Sequence, residues 1–274
     1  MPKFSANLGF LWPDRPLQER IKAAARAGFK AIELHWPYDT DAAEVRGLCA
    51  ELGLTLLGVN TSKGDAAKGE SGLGALPGRE AEFQQAVDQA IAWSVASGAC
   101  AVHAMAGIVP AGVVAGSPAA GSPAAAADTF VQNLKLAADK AATHGLTLLL
   151  EPLNPRDAPG YFYSTLAQAD AILDRVGKPN VRIMFDAYHV GVTEGDVLTK
   201  LARYLPRIGH VQIAAVPSRA EPDEGELRYE ALFDKLDELG YEGWVGCEYK
   251  PRADTDDGLA WTRKLGVRLD SIDP

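Results

Sequence analysis

Four oxygen-bearing side chains stand where short apolar runs stop. Glu151 follows LTLLL, Asp186 follows VRIMF, Gln212 lies in IGHVQI, and Glu248 follows WVGC. Successive members lie roughly 30 residues apart, about one strand-plus-helix repeat. A charge at the end of a buried strand is costly unless it is paired, hydrogen-bonded or bound to a metal. Three carboxylates converging without a cation would repel, and at least one would keep its proton. A divalent cation removes that conflict, and an all-oxygen set suits Mg2+ or Mn2+ better than zinc. Taken singly, each residue has a plainer explanation: a salt-bridge partner, a turn cap in MFDAYH, a satisfied buried amide. One donor per strand at matching depth favours the metal.

For these donors to meet, their strands must be neighbours. The sequence predicts strands over Phe4–Leu8, Ala31–His35, Leu54–Asn60, Cys100–Met105, Leu146–Glu151, Val181–Asp186, Ile208–Ile213 and Trp244–Glu248. Between and after them it predicts helices over Arg15–Ala27, Asp41–Leu52, Gly78–Ser97, Ala124–His144, Thr165–Val176, Gly195–Tyr204, Arg228–Leu239 and Asp256–Leu269. Several of these helices are followed at once by glycine, a common C-cap. Strand then helix, repeated about eight times, points to an α/β chain folded as one (β/α)8 TIM barrel over residues 1–274. A doubly wound open sheet is the alternative, weakened by the lack of a GxGxxG after strand one and of a Walker A motif. The Ala-, Gly-, Ser- and Pro-rich stretch 109–127, with its twin GSPAA units, reads as a flexible loop.

Composition narrows the partners. The 274 residues carry a formal net charge of −9 and no Lys/Arg run. Such a surface repels phosphate backbones, so no nucleic-acid partner is expected. No 18-residue apolar run occurs, and MPKFSANLGFLWPDR lacks a secretion pattern, so neither a membrane span nor export is expected. Cys49, Cys100 and Cys247 are widely spaced without a CxxC. Neither a zinc ribbon nor a disulfide framework follows, Cys100 and Cys247 read as buried small hydrophobes, and the chain reads as cytoplasmic. The region GLGALPGREAEF opens a helix and is a candidate interface for a homo-oligomer.

The motifs FSANL, AGFKAIELHWPYD, LPGRE, LLLEPLN, FDAYH, GHVQIA, GELRYEALF and GWVGCEYKP together resemble the hydroxypyruvate isomerase family. That family is one of the xylose isomerase-like barrels, which also hold ketose 3-epimerases and type-IV endonucleases. The resemblance runs from Phe4 to about Leu265. It implies a metal, Mg2+ or Mn2+, on Glu151, Asp186, Gln212 and Glu248, with Glu151 and Glu248 as the catalytic acid/base pair. His189, three residues after Asp186, and Arg219, in PSRAEP, match positions that contact substrate. A guanidinium also suits a substrate carboxylate. Asp157, six residues after Glu151, is expected in the same pocket, while His35, His103 and His210 are weaker candidates. After strand three, NTSKGDAAKGESG departs from the family pattern and carries a new Lys63.

The implied activity is that of a metal-dependent sugar-acid isomerase in carbohydrate and glyoxylate metabolism. It would interconvert hydroxypyruvate and tartronate semialdehyde (2-hydroxy-3-oxopropanoate) through an enediolate. A 2-oxo-tetronate isomerase or ketose 3-epimerase is the alternative with the same site. A DNA repair endonuclease is disfavoured by the acidic charge and by VPSRAEPDEGEL, which lacks histidine. A non-catalytic sugar-acid binder would not need two glutamates flanking its ligand.

Overall fold

The computed structural model describes residues 1–109 and 123–269. Its elements run β1 (Lys3–Asn7), α1 (Leu17–Arg26), β2 (Ala31–Glu33), α2 (Ala42–Glu51), β3 (Thr55–Leu56), β4 (Gly58–Asn60), α3 (Glu80–Ser97), β5 (Ala101–His103), α4 (Pro123–Ala142) and β6 (Thr147–Leu150). They continue with α5 (Leu166–Val176), β7 (Val181–Asp186), α6 (Ala187–Thr193), α7 (Val197–Tyr204), β8 (Ile208–Ile213), α8 (Tyr229–Glu238), β9 (Trp244–Cys247), α9 (Thr255–Gly258) and α10 (Ala260–Lys264).

All strand pairs are parallel, in the order β3-β2-β1-β9-β8-β7-β6-β5-β4. The stretch expected as one third strand is β3 plus β4. Leu57 donates to Ile32 O at 2.9 Å, yet Gly58, not Leu57, accepts from Leu34 at 3.0 Å. One extra residue is thus accommodated there, a bulge that re-aims the strand's end. Asn60 N then bonds His35 O at 2.8 Å, so backbone hydrogen bonds complete the ring between β2 and β4. A second irregularity pairs Ile183 with Ile208 but Met184 with His210, skipping Gly209. A Cβ at Gly209 would lie 2.7 Å from the Arg182 Cβ, so the skip needs glycine.

Local signals set the helices. Thr165 and Gln168 form a reciprocal capping box at α5, and Asp41 accepts from Ala43 N and Glu44 N at α2, each cap contributing about 1 kcal/mol. Gly98 and Gly177 end α3 and α5 at φ 81° and 64°, the left-handed turn that glycine takes without steric cost. Alternation then sorts the strands. Phe4, Ala6, Val211, Ile213, Val245 and Cys247 join the hydrophobic core, whereas Ser5, Asn7, His210, Gln212 and Glu248 belong to the opposite parity.

Four sequence expectations are modified. The helix α6 follows Asp186 directly, and the last expected helix is divided into α9 and α10. The stretch 110–122, most of the expected loop, lies outside the described residues, while 123–127 open α4. Cys49 and Cys247 are buried but Cys100 is exposed, because it precedes β5 at the barrel rim. Among the described residues no helix is long and apolar enough to cross a membrane.

Candidate active site and metal centre

In barrels of this type the carboxyl ends of the strands carry the chemistry. Here Glu151 and Glu248 immediately follow β6 and β9, Asp186 ends β7, and Gln212 lies one residue from the end of β8. All four side chains are buried. Gln212 is the register partner of Asp186 on one side and of Gly246 on the other. The barrel interior is not fully packed. A cavity of about 530 Å3 runs through it, lined by Glu33, His103, Glu151, His210, Gln212 and Glu248 among others.

Asp186 does two jobs. Its Oδ1 accepts from Tyr188 N at 2.8 Å and caps α6. Its Oδ2 is buried without a hydrogen-bond partner, as are Glu151 Oε1 and Gln212 Oε1. Glu151, Asp186 and His189 each bring one ligand-type atom within 4.8 Å of the others. Buried acceptor oxygens left unpaired are costly, and three of them on adjacent strands fit a hard divalent cation.

His189 is nearer this cluster than the sequence indicated, with Nε2 3.6 Å from both Glu151 Oε1 and Asp186 Oδ2. Its Nδ1, however, accepts from Asn154 N at 3.0 Å, and Asn154 Nδ2 lies 2.7 Å away. Burial pushes its pKa down to about 3, so the ring is neutral. With Nδ1 accepting, the single proton sits on Nε2 and points at the carboxylates. A metal on Nε2 would need that proton moved to Nδ1, against a backbone N–H. This arrangement turns an Nε2 donor toward the carboxylates.

Glu248 is the most tightly held of the four. Its Oε1 accepts from Asn7 Nδ2 at 3.1 Å and contacts His35 Nε2 at 3.0 Å, while Oε2 accepts from Arg219 at 2.7 Å. Arg219 sits at φ 57°, uncommon for a residue with a Cβ. Its backbone N bonds Ala215 O and its carbonyl accepts from Lys250 N, both at 2.8 Å. The guanidinium stacks between Phe10 and Tyr188, with ring centroids 5.1 and 5.0 Å away. It lies 3.6 Å from Asp157 Oδ2 and 4.0 Å from Asp186 Oδ2, and its Nε has no partner. Asp157 in turn accepts from Tyr188 Oη at 2.6 Å and Asn154 Nδ2 at 3.2 Å.

Electrostatics divides the three carboxylates. Burial, then Glu248 and Asp186, push Glu151 well above the usual carboxylate range. Burial and Glu248 push Asp186 up to about 7. Burial acts the same way on Glu248, but His35 and Arg219 outweigh it and hold Glu248 low. Without a cation the surroundings favour the ionised form of Glu248 and the protonated forms of Glu151 and Asp186.

The sequence missed three participants. Glu33 bonds Gln212, Asn154 orients His189, and Tyr188 links Asp157 to Arg219. Only Glu33 left a signal: in AIELH it shares the inward parity of His35.

Comparison with known proteins bears on this arrangement. Residues 21–265 match the family described as the xylose isomerase-like TIM barrel. The chain belongs to that family. It is 45% identical over 263 residues to the 2-oxo-tetronate isomerase of Cupriavidus necator, covering 96% of this chain and 98% of that one. It is also 45% identical over 269 residues to the putative hydroxypyruvate isomerase of Mus musculus, covering 97% and 96%. A crystal structure from Brucella melitensis, described as an AP endonuclease of family 2, superposes with a TM-score of 0.91 at 42% identity, covering 96% and 99%. The xylose isomerase-like chain is thus an enzyme of the isomerase class.

Proposed function

We propose that the chain is a divalent-metal-dependent isomerase of short sugar acids, interconverting hydroxypyruvate and tartronate semialdehyde. The observation that carries this reading is the set of unpartnered oxygens of Glu151, Asp186 and Gln212 beside Glu248, itself held by Arg219. Those four residues would hold Mg2+ or Mn2+, which when bound supplies a Lewis acid to the substrate carbonyl and its neighbouring hydroxyl. Proton transfer between adjacent carbons needs two groups. Glu248, kept ionised by His35 and Arg219, takes the proton from C3 of hydroxypyruvate. Glu151 takes the O3 hydroxyl proton and returns it to C2, and Glu248 passes its proton to O2, so the enediolate lies between the two carbon transfers and both glutamates end as they began. The free Arg219 Nε and its stacked guanidinium suit the substrate carboxylate. His189 Nε2 donates to a substrate oxygen.

A 2-oxo-tetronate, one carbon longer, is the second reading, favoured by the 45% identity to the relative of that name. An activity panel of hydroxypyruvate, 2-oxo-tetronates and free ketoses separates the readings. Hydroxypyruvate is expected to turn over fastest. Fast ketose turnover with none on hydroxypyruvate would refute the assignment. Nothing in the chain's charge of −9 suits a DNA backbone.

Metal binding must displace protons from Glu151 and Asp186. The rise in Tm on adding Mn2+ is therefore expected to be larger at pH 8 than at pH 6. Metal-free protein is expected to lose stability between pH 6.5 and pH 8, because Asp186 titrates near 7 when folded and near 4 when unfolded. Stability linked to such a raised carboxyl is present at low pH and lost as pH rises through its folded pKa. The lowered histidines His103 and His189 act the opposite way, but only below their unfolded value near 6.5. Thermal melts at the two pH values, with and without Mn2+, check both expectations. A metal shift independent of pH would contradict them.

A further inference from the structure

A carboxamide can present either its oxygen or its nitrogen, and only the oxygen can ligate a hard cation. Gln212 is the one member of the proposed metal set with that ambiguity, so something must hold it one way round. Its Nε2 donates to Glu33 Oε2 at 2.8 Å, which leaves Oε1 unpartnered. Glu33 is itself fixed from the other side. Its Oε1 accepts from Ser5 Oγ at 2.5 Å and lies 3.1 Å from His210 Nε2. Asn7 Nδ2, which bonds Glu248, approaches Glu33 Oε2 at 3.5 Å. Space for this carboxylate inside the barrel depends on Gly246. A Cβ there would lie 2.3 Å from Glu33 Oε1 and 2.9 Å from Gln212 Cγ.

We propose that Glu33 is a positioning residue: its carboxylate, held by Ser5 and His210 within the space left by Gly246, locks the Gln212 amide so that Oε1 is left for the metal. This rests on the metal site proposed above. An ionised carboxylate only accepts hydrogen bonds, so the amide nitrogen must face it. In Glu33→Gln the new side chain keeps its donors by placing its oxygen toward Ser5 and His210. Its nitrogen then faces Gln212, and the Gln212 amide must turn over to accept. The ligand oxygen is thereby removed from the site without any change in the residues that touch metal.

The test is a double-mutant cycle on metal affinity, read by calorimetry with EDTA-stripped protein titrated with Mn2+. E33Q is expected to weaken Mn2+ binding about 10- to 100-fold, the usual scale for losing a ligand's orienting partner. Q212A is expected to lose a similar factor, and E33Q is expected to change affinity less than about twofold in the Q212A background. A simple charge effect of Glu33 would persist in that background, and its persistence overturns the proposal. The charge-conserving swap E33Q/Q212E restores a hydrogen bond of reversed polarity and is expected to regain Mn2+ binding. If E33Q does not fold, the swap carries the test: folding with binding supports the lock, and folding without binding overturns it. Wild-type binding with an unchanged E33Q refutes only the lock. No Mn2+ binding by wild type refutes the metal site and the lock with it.

Discussion

Glu248→Gln is expected to lower kcat about 10³-fold, the usual scale for a general acid/base, with the fold intact. The substitution is isosteric, and the groups around it have other partners. Asn7 also approaches Glu33, and Arg219 still faces Asp157 and Asp186 and stacks between Phe10 and Tyr188. What is lost is the one carboxylate among Glu151, Asp186 and Glu248 that its surroundings hold low. Glu151→Gln is expected to be as damaging to turnover but opposite in its effect on the metal-free protein. Glu151 is buried beside two other carboxylates, and burial, then Glu248 and Asp186, push its pKa well above the usual carboxylate range, so ionisation there is unfavourable. A neutral amide removes that conflict, so Tm without metal is expected to equal or exceed that of wild type. Steady-state kinetics paired with thermal melts check both variants. Full turnover in both would remove the acid/base pair from the mechanism.

Stripping the metal is expected to reduce turnover below about 1% of the loaded rate, with Mg2+ or Mn2+ restoring it. Stabilising the charge that develops on an enediolate is the kind of contribution worth several kcal/mol. The neighbouring side chains do not replace it: Arg219 already bonds Glu248 and is assigned to the substrate carboxylate, His210 faces Glu33, and burial lowers His103 and His189. Asp186→Asn separates this effect from folding. Asparagine caps a helix as well as aspartate does, so α6 retains its bond from Tyr188 N, while the ligand charge is gone. Melts near those of wild type with weakened Mn2+ binding are expected. Unchanged Mn2+ affinity in Asp186→Asn would exclude that carboxylate from the metal set.

Much of the frame was legible because its periods are strong. The runs LTLLL and VRIMF become β6 and β7, and Gly98 and Gly177 end the helices they follow. The weaker places were those where backbone hydrogen bonding, not hydrophobicity, decides. The Leu57 bulge and the start of α6 at Ala187 are of this kind. Among candidate residues, Glu151, Asp186, Gln212 and Glu248 were visible because each interrupts or ends an apolar run. Arg219, Asp157 and His189 fall in loops or in α6, where no periodicity marks them; the family resemblance singled out Arg219 and His189, and nearness in sequence to Glu151 singled out Asp157. Asp186 shows why a turn cap and a metal ligand were both open readings, since one oxygen caps α6 and the other has no hydrogen-bond partner. Glu33 escaped notice because a charged residue within a short strand reads as an exposed face, and only the closed ring shows that this parity points inward.

The most direct measurement follows hydroxypyruvate by proton NMR in D2O with EDTA-stripped protein, before and after Mn2+ is added. The expected result is conversion to tartronate semialdehyde, with solvent deuterium entering the carbon skeleton, only when metal is present and Glu151 and Glu248 are intact. Conversion that proceeds equally in EDTA, or no conversion and no deuterium exchange with Mn2+ bound, would contradict a metal-dependent isomerase working through this glutamate pair.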